Sequence, residues 1–396
     1  MKLGVVSGLR YHRIGNKYYT LSQFDAEVWK ECLEVFGEVV LANRVVSKER
    51  IAPSEKCVLT DKVKLIEFPN CLGFWRAVGA LPRTFWRARK VVRQADVWHL
   101  HTPNIIAICM WFWLWLYKIP YSVELRGDQS INADYLKLRG VRFPAVVSRL
   151  MKMFLWLHMS RPVAVATVAR FLVGLSRPRN NCPVHVVSNA RIPCELYRKP
   201  RTWTNDWACR TLVCSGRLEA QKNPIGLVRA LAKLEEKGFT SWRFLWIGDG
   251  PLKEQTTRLA DELNLAAKIE LLGHVPWQDI FNILDSSDLF VLYSVAEGLP
   301  RVVIEAMACA LPVIGTRVGA WAEILPAEDV VKPRCDDLLA DKLFEVLTDP
   351  SRLTKMSQRN LVTAANYSAQ ILREKKVAFY AHVKSLVVNS RNTESG

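Results

Sequence analysis

What most limits the folds open to this chain is an alternation of short apolar runs with helix-length amphipathic stretches, carried through twice. In the first half, apolar runs at residues 2–7, 38–42, 63–68, 96–100, 120–125, 162–166 and 183–187 are separated by helical patterns at 21–36, 83–94, 103–118 and 146–159, the first of them stopped by Gly37. Apolar runs of this length between helices read as strands of a parallel sheet covered on both faces. The second half repeats the rhythm, with strands at 211–215, 242–247, 268–272, 288–292 and 311–315 and helices at 224–237, 251–263, 276–285 and 301–309. Asn223 and Pro224 form a helix start and Gly238 a stop. The predicted fold is α/β, two doubly wound Rossmann-like domains facing a cleft, which is the default ligand site because ligands bind at the carboxyl ends of such strands. The expected domains are 1–195 and 205–368, joined by an aperiodic linker at 189–210. A helix at 369–388 is expected to return towards the first domain, and 389–396 to be a disordered tail.

Length and charge narrow the class further. A chain of 396 residues, half hydrophobic and 23% charged, has the composition of two or three globular domains and not of a disordered or fibrous protein. The net charge of +17 is confined to one side: residues 1–200 carry 31 Lys and Arg against 14 Asp and Glu, and residues 201–396 carry 24 against 24. A one-sided basic half suggests a polyanionic partner, either nucleic acid or an anionic membrane surface. The ten cysteines contain no C-x-x-C pair and no Cys/His cluster at zinc spacing, so they read as buried apolar residues in a reducing compartment, and no metal is expected. The N-terminus has too short an apolar run for a signal peptide. The 13 residues Ile105 to Tyr117 fall short of the roughly 20 that span a bilayer, and predict a buried or interfacial helix.

Three loops follow predicted strands of the second half. In SGRLEAQKNP, at 215–224, Gly216 permits a tight turn while Arg217 and Lys222 place two cations beside a helix start, a seat for a diphosphate; two solvated surface cations are the plain alternative. In IGDGP, at 247–251, Gly248 and Gly250 let backbone approach a ligand, or simply turn the chain. In AEGLPRVVIEAMA, at 296–308, Gly298-Leu299-Pro300 leads into a helix whose free amides can accept phosphate oxygens. Glu297 stands in that loop and Glu305 about one turn into an apolar helix, where a carboxylate needs donors such as ribose hydroxyls. A neighbouring ion pair for Glu305 and solvation for Glu297 are the alternatives.

From Cys214 to Leu325, with SGRLEAQKNP, IGDGP, GHVPWQDI, SSDLFVLYSVAEGLPRVVIEAMACALPVIGT and VGAWAEIL in order, the sequence resembles the donor-binding domain of family 4 glycosyltransferases, retaining enzymes of the GT-B fold. The first half is similar in layout, through the first strand with Gly8 after it, DVWHLHTPN, IPYSVELRGD and PVAVATVARFL. The resemblance implies that Arg217 and Lys222 hold the nucleotide diphosphate and stabilise it as a leaving group. It implies that Glu305 binds the ribose, Glu297 hydroxyls of the transferred sugar, and Gly298 and Leu299 supply backbone contacts. Gly8 would let the first loop approach the donor diphosphate, and no metal or other cofactor would be needed.

Two departures stand out. Where many relatives have a sugar-contacting His-Gly pair, this sequence has Arg126-Gly127-Asp128, so Arg126 would contact the donor sugar or bind an anionic acceptor. The usual double glycine after the first strand is replaced by SGLRYHRIG. His101 of the H-x-H at 99–101 reads as a structural histidine. The segment 73–93 mixes Trp75, Phe85 and Trp86 with Arg76, Arg83, Arg87, Arg89, Lys90 and Arg93, as an interfacial amphipathic helix does, and no nucleic-acid motif accompanies the basic charge.

The resulting expectation is a transferase that moves a sugar from a nucleotide-diphosphate sugar to a saccharide acceptor, lipid-linked, in cell-surface polysaccharide or glycolipid synthesis. Its expected place is cytoplasmic, peripheral on the inner face of a bacterial membrane, docked through its basic half and with no nucleic-acid partner. A nicotinamide-dependent oxidoreductase is disfavoured because the first strand lacks G-x-G-x-x-G after it. A non-catalytic polyanion- or membrane-binding protein would leave Glu297, Glu305 and the phosphate loops without a role.

Overall fold

The apolar runs of the first half become strands β1 (Lys2–Val6), β4 (Glu38–Ser47), β6 (Val63–Phe68), β7 (Val97–Thr102), β8 (Tyr121–Leu125), β9 (Val165–Thr167) and β10 (Val184–Val186), all paired in parallel. The computed structural model describes residues 1–20, 29–48, 56–57, 60–70, 74–127, 132–138, 140–205 and 209–394. It divides into two compact units, one of Met1–Arg126, Ala145–Val187 and Arg373–Gly396, the other of Gly127–Pro144 and Ser188–Leu372. The units are therefore not contiguous in sequence: the chain from Arg373 on belongs to the first, and Gly127–Pro144 to the second.

The sheet of the first unit holds an addition that periodicity missed. The segment read as a loop between Gly8 and Gly15 contains β2 (Arg10–Ile14), which pairs in parallel with β4 and antiparallel with β3 (Lys17–Thr20); β3 in turn pairs with β5 (Lys56–Cys57). Gly15, at φ +58°, and Asn16 make the two-residue turn between them, where a left-handed backbone matches the twist of the strands. Helix α1 (Lys30–Val35) keeps the end of the pattern expected over 21–36; residues 21–28 lie outside the described residues. Helix α2 (Phe74–Val91) starts earlier than residue 83, and α3 (Ile105–Leu116) follows with Asn104 as its cap, accepting from the Ala107 N–H at 2.9 Å. Helices α4 (Ala133–Leu138) and α5 (Pro144–His158) come next. Leu3, Val5, Leu41 and Val97 form the core with Phe379, Tyr380, Val383 and Val387, which come from the last helix of the chain.

The second unit is a six-stranded parallel sheet in the order β13-β12-β11-β14-β15-β16, formed by β11 (Arg210–Ser215), β12 (Trp242–Ile247), β13 (Ile269–Gly273), β14 (Leu289–Leu292), β15 (Val313–Thr316) and β16 (Val330–Val331). Strands β11, β14 and β15 are buried at every residue, as a sheet covered on both faces requires. The covering helices are α6 (Pro224–Glu236), α7 (Lys253–Glu262), α8 (Trp277–Asp285), α9 (Arg301–Ala308), the short α10 (Trp321–Ile324), α11 (Asp336–Leu347) and α12 (Pro350–Ala365). Asn223 caps α6 through the Gly226 N–H, with Pro224 in its first turn. The linker is not loose: Arg201 donates to the backbone carbonyls of Leu284 at 3.1 Å and Cys309 at 2.7 Å, satisfying carbonyls left open at the ends of α8 and α9. Helix α13 (Ala369–Glu394) runs past residue 388, so 389–394, expected as a disordered tail, are helical.

Candidate functional site

In the second unit the loops after β11 and β12 are laced together by backbone. The Gly216 N–H donates to the Ile247 carbonyl at 2.9 Å, Leu218 N–H to Asp249 at 3.1 Å, and Leu252 N–H to Leu218 at 2.9 Å. Only glycine fits this lacing. Gly248 sits at φ +133°, and a Cβ there would stand 2.2 Å from the Gly216 carbonyl oxygen; one at Gly250 would stand 2.4 Å from that of Leu218. Beside the joined loops lies a cavity of about 550 Å3, lined by Gly216, Arg217, Gly248, Asp249, His274 and Trp277 among others. Its volume suits a nucleotide. Arg217 reaches its edge with 71% of its side chain exposed, 3.6 Å from the Glu219 carboxylate.

The third loop brings the two expected carboxylates to different surroundings. Lys222 Nζ lies 2.6 Å from Glu297 Oε1, and both side chains are nearly buried. Glu305, in the second turn of α9, accepts from Trp277 Nε1–H at 3.3 Å and stands 3.7 Å from the Arg301 guanidinium. Burial raises its pKa, against the opposing pull of Arg301 and of the Trp277 hydrogen bond. Among the described residues no side chain caps α9, which starts after Pro300, next to Gly298 and Leu299; the Val303 N–H is taken by the Pro300 carbonyl at 3.1 Å. The backbone of this loop is pinned as well: Ala320 N–H donates to the Gly298 carbonyl at 2.9 Å, and a Cβ on Gly319 would stand 2.2 Å from the Glu297 carbonyl oxygen.

Sequence reasoning missed the residue that ties the first loop to the third. Gln221 donates through Nε2 to the Ala296 carbonyl and accepts from the Val295 N–H, both at 2.8 Å, while its Oε1 accepts from Tyr135 Oη at 3.0 Å. Trp277 and His274 stand in the GHVPWQDI motif with no sign in the sequence of a role of their own. Their place became visible once β13 and α8 met the cavity.

In the first unit, Gly8 adopts φ +69° beside the Asn104 side chain. Arg126, just beyond β8, belongs to a network: its Nε donates to Glu124 Oε1 at 2.5 Å, and its Nη2 lies 3.3 Å from His101 Nε2. His99 Nε2 donates to Glu124 Oε2 at 3.0 Å, which leaves Nδ1 to accept from Ser122 Oγ at 2.9 Å. Burial alone would raise the Glu124 pKa; Arg126 and the two histidines outweigh it and hold the carboxyl well below its usual range. Burial and the Arg126 charge keep His101 neutral, well below the usual imidazole range. His99, His101 and Glu124 together present donor atoms within 4.8 Å of one another, a cluster that cysteine and histidine spacing did not reveal. The guanidinium already answers the Glu124 charge, and a dication there would stand against Arg126, so the trio suits an arginine mount better than a metal.

Residues 208–361 match the family model of the glycosyl transferases group 1. The second unit carries a group 1 glycosyl transferase domain. The loops, cavity and carboxylates described above lie within that domain. Over 206 residues the chain is 27% identical to the phosphatidylinositol N-acetylglucosaminyltransferase gpi3 subunit of Schizosaccharomyces pombe, covering 52% of this chain and 44% of that protein. Over 174 residues it is 30% identical to the GDP-mannose-dependent monoacylated alpha-(1-6)-phosphatidylinositol monomannoside mannosyltransferase of Corynebacterium glutamicum, covering 41% and 45%. The chain thus spans less than half the length of these relatives. The fold of Anabaena Alr3699/HepE, solved with UDP and glucose, matches 94% of this chain and 97% of its own with a TM-score of 0.65 at 13% identity. WaaG, a glycosyltransferase involved in lipopolysaccharide biosynthesis, matches 96% and 99% with a TM-score of 0.64 at 12% identity. The group 1 domain and its companion unit therefore share the GT-B fold, two Rossmann-like α/β domains.

Proposed function

We propose that the chain is a retaining glycosyltransferase that moves a sugar from a nucleotide-diphosphate sugar to a saccharide acceptor, lipid-linked, in cell-surface polysaccharide or glycolipid synthesis. The observation that carries this reading is the cavity beside the Gly216 and Gly248 loops, at the carboxyl ends of β11 and β12 in a group 1 glycosyl transferase domain.

In the proposed mechanism Arg217 and Lys222 hold the diphosphate, and Glu305 accepts from the ribose hydroxyls. The uncapped start of α9, with Gly298 and Leu299, adds backbone donors. As the bond from the anomeric carbon to the phosphate breaks, charge grows on the leaving diphosphate, and cations already in place stabilise it without reorganisation. Glu297 orients hydroxyls of the transferred sugar. The acceptor hydroxyl attacks from the face the diphosphate is leaving, its proton passing to a phosphate oxygen, which gives retention without a protein nucleophile or a metal. Arg126, held by Glu124, meets the donor sugar or an anionic group of the acceptor, and Gly8 leaves its loop bare of a side chain where a phosphate passes.

Two further parts of the proposal concern place. Among the described residues no helix is long and apolar enough to cross a membrane, and the excess of basic charge in residues 1–200 suits adsorption to the anionic inner face of a cytoplasmic membrane, at about 1 kcal/mol per basic residue near the surface. Thermal-shift measurements against UDP, GDP, ADP and NAD test the transferase reading. One nucleoside diphosphate should raise the melting temperature and NAD should not. Stabilisation by NAD alone, or by none of the four, would overturn it.

A further inference from the structure

Three helices of the first unit, α2, α3 and α5, surround a groove that binding a soluble nucleotide sugar does not require. It has a volume of about 410 Å3 and is lined by Leu81 and Phe85 of α2, Ile108, Trp111 and Phe112 of α3, and Phe154 of α5, with no charged residue among the described residues of its wall. The one polar atom of Trp111, Nε1, is turned away to donate to Tyr121 Oη at 3.2 Å. Around the groove the same helices expose Trp86, Trp115, Leu116, Leu150, Met153 and Trp156, with Trp86 at 59% and Trp156 at 54%. A soluble protein does not ordinarily leave so much large apolar surface together on adjoining helices.

The charge on these helices is of one sign. Their 45 residues, 18 in α2, 12 in α3 and 15 in α5, include Arg76, Arg83, Arg87, Arg89, Lys90, Arg149 and Lys152 and no Asp or Glu. Several of the arginines in this region lie over aromatic rings, Arg89 over Trp113 at 5.5 Å and Arg179 over Trp156 at 4.3 Å, so cation and indole sit at one level, as they do where lipid headgroups meet acyl chains. A protein partner that filled an apolar groove would be expected to meet charges of both signs at its rim. Seven cations without an anion fit a surface of phosphates.

We propose that this face docks on an anionic bilayer and that the groove between α2, α3 and α5 takes one hydrocarbon chain of a membrane lipid. The proposal rests on the membrane reading above and adds to it a defined seat for the chain. It explains why the described groove wall is apolar while Arg83, Lys90, Arg149 and Lys152 lie outside it, all exposed: the headgroup stays among these cations and only the chain enters.

The test uses the full-length protein and phosphatidylglycerol vesicles doped with a phosphatidylglycerol that carries a photoactivatable diazirine at mid-chain. Cross-linked peptides are mapped by mass spectrometry, and co-sedimentation is measured in parallel. The expected result is cross-linking to the 105–116 peptide. It should fall at least fivefold when Ile108→Trp fills the groove, while co-sedimentation persists. Leu81→Trp, at the exposed end of the lining, should act the same way and covers the case in which the first variant melts at a lower temperature. Cross-links confined to Trp86 or Trp156, unaffected by either variant, would overturn the groove and leave membrane docking intact. Failure to sediment with these vesicles would overturn docking itself. A dimer in solution that Ile108→Trp dissociates would assign the groove to a second copy of the chain and overturn the proposal as well.

Discussion

Lys222 and Glu297, 75 residues apart in sequence, form a 2.6 Å ion pair that leaves the two side chains 14% and 7% exposed. The cation assigned to the diphosphate is thus already held by the carboxylate assigned to the sugar. A nucleotide sugar that binds here must share the ammonium or draw it away.

Glu297→Gln should therefore bind UDP or GDP, whichever stabilises the protein, at least as tightly as the parent, because Lys222 no longer divides its charge. Transfer should nonetheless fall tenfold or more, since a contact to the sugar is lost. Lys222→Met should behave differently: a nearly buried carboxylate left without its cation costs about 3–5 kcal/mol, and the melting temperature should drop. Titration calorimetry and thermal melts on both variants check the pair, and weaker nucleotide binding by Glu297→Gln would count against the shared-cation account.

For Glu305 stability and binding should move in opposite directions. Its pKa is raised by burial, and a raised acid contributes stability that is present at low pH and lost as pH rises through its folded value. At neutral pH the ionised form is therefore a cost to folding, and Glu305→Gln should melt at the same temperature as the parent or higher. The same variant should lose about 1–3 kcal/mol of nucleotide affinity through weaker bonds to the ribose. Parent affinity should also decline on acidification from a higher pH than an ordinary carboxylate would give. An affinity that stays flat from pH 8 to 4 would remove Glu305 from the nucleotide site.

Gly248→Ala meets two obstacles, a φ of +133° and a carbonyl oxygen 2.2 Å from the new methyl group. A strained backbone of this kind costs on the order of 1–3 kcal/mol before the clash is counted. Lower melting temperature together with lost nucleotide binding is expected. Gly79→Ala, on α2, where a Cβ would meet nothing within 4 Å, should leave nucleotide binding unchanged.

The first unit should lose stability on acidification in two stages. His99 and His101 have depressed pKa values from burial, so the unfolded chain takes up protons first as pH drops below about 6.5. Glu124, whose burial is outweighed by Arg126 and the histidines, has a lowered pKa; its stabilisation is present above about pH 4.3 and disappears as pH falls through the folded value. Arg126→Met removes the cation, so its melting temperature should lie well below the parent at pH 8, and the gap should narrow towards pH 4. A constant gap across that range would mean that Arg126 contributes packing alone.

The strands and the three loops of the second unit were legible because a sheet buried on both faces writes itself as uninterrupted apolar runs, as in Leu289–Leu292, and because Gly216, Gly248 and Gly298 stand directly after such runs. The hairpin at Arg10–Thr20 was not legible: its strands are short, Arg10, Arg13 and Lys17 interrupt the apolar pattern, and Gly15 alone marks the turn. The Lys222–Glu297 pair, the Gln221 tie and the histidines around Glu124 escaped for another reason. Each depends on which strands become neighbours, as β7 and β8 bring His99 and His101 beside Glu124, and spacing along the chain carries no trace of that.

The glycine lacing at Gly216, Gly248 and Gly250 has a consequence for how such a protein can diversify. Because backbone oxygens at Gly248 and Gly250, and the Lys222 side chain at Gly216, occupy the space where side chains would grow, random substitution at these positions should yield inactive protein far more often than altered protein. His274, Val275, Trp277 and Ile280 line the same cavity with side chains of their own. Saturation libraries aimed at a changed donor preference belong on the β13–α8 loop and the first turn of α8, where the cavity is lined by side chains and not by crowded glycine backbone.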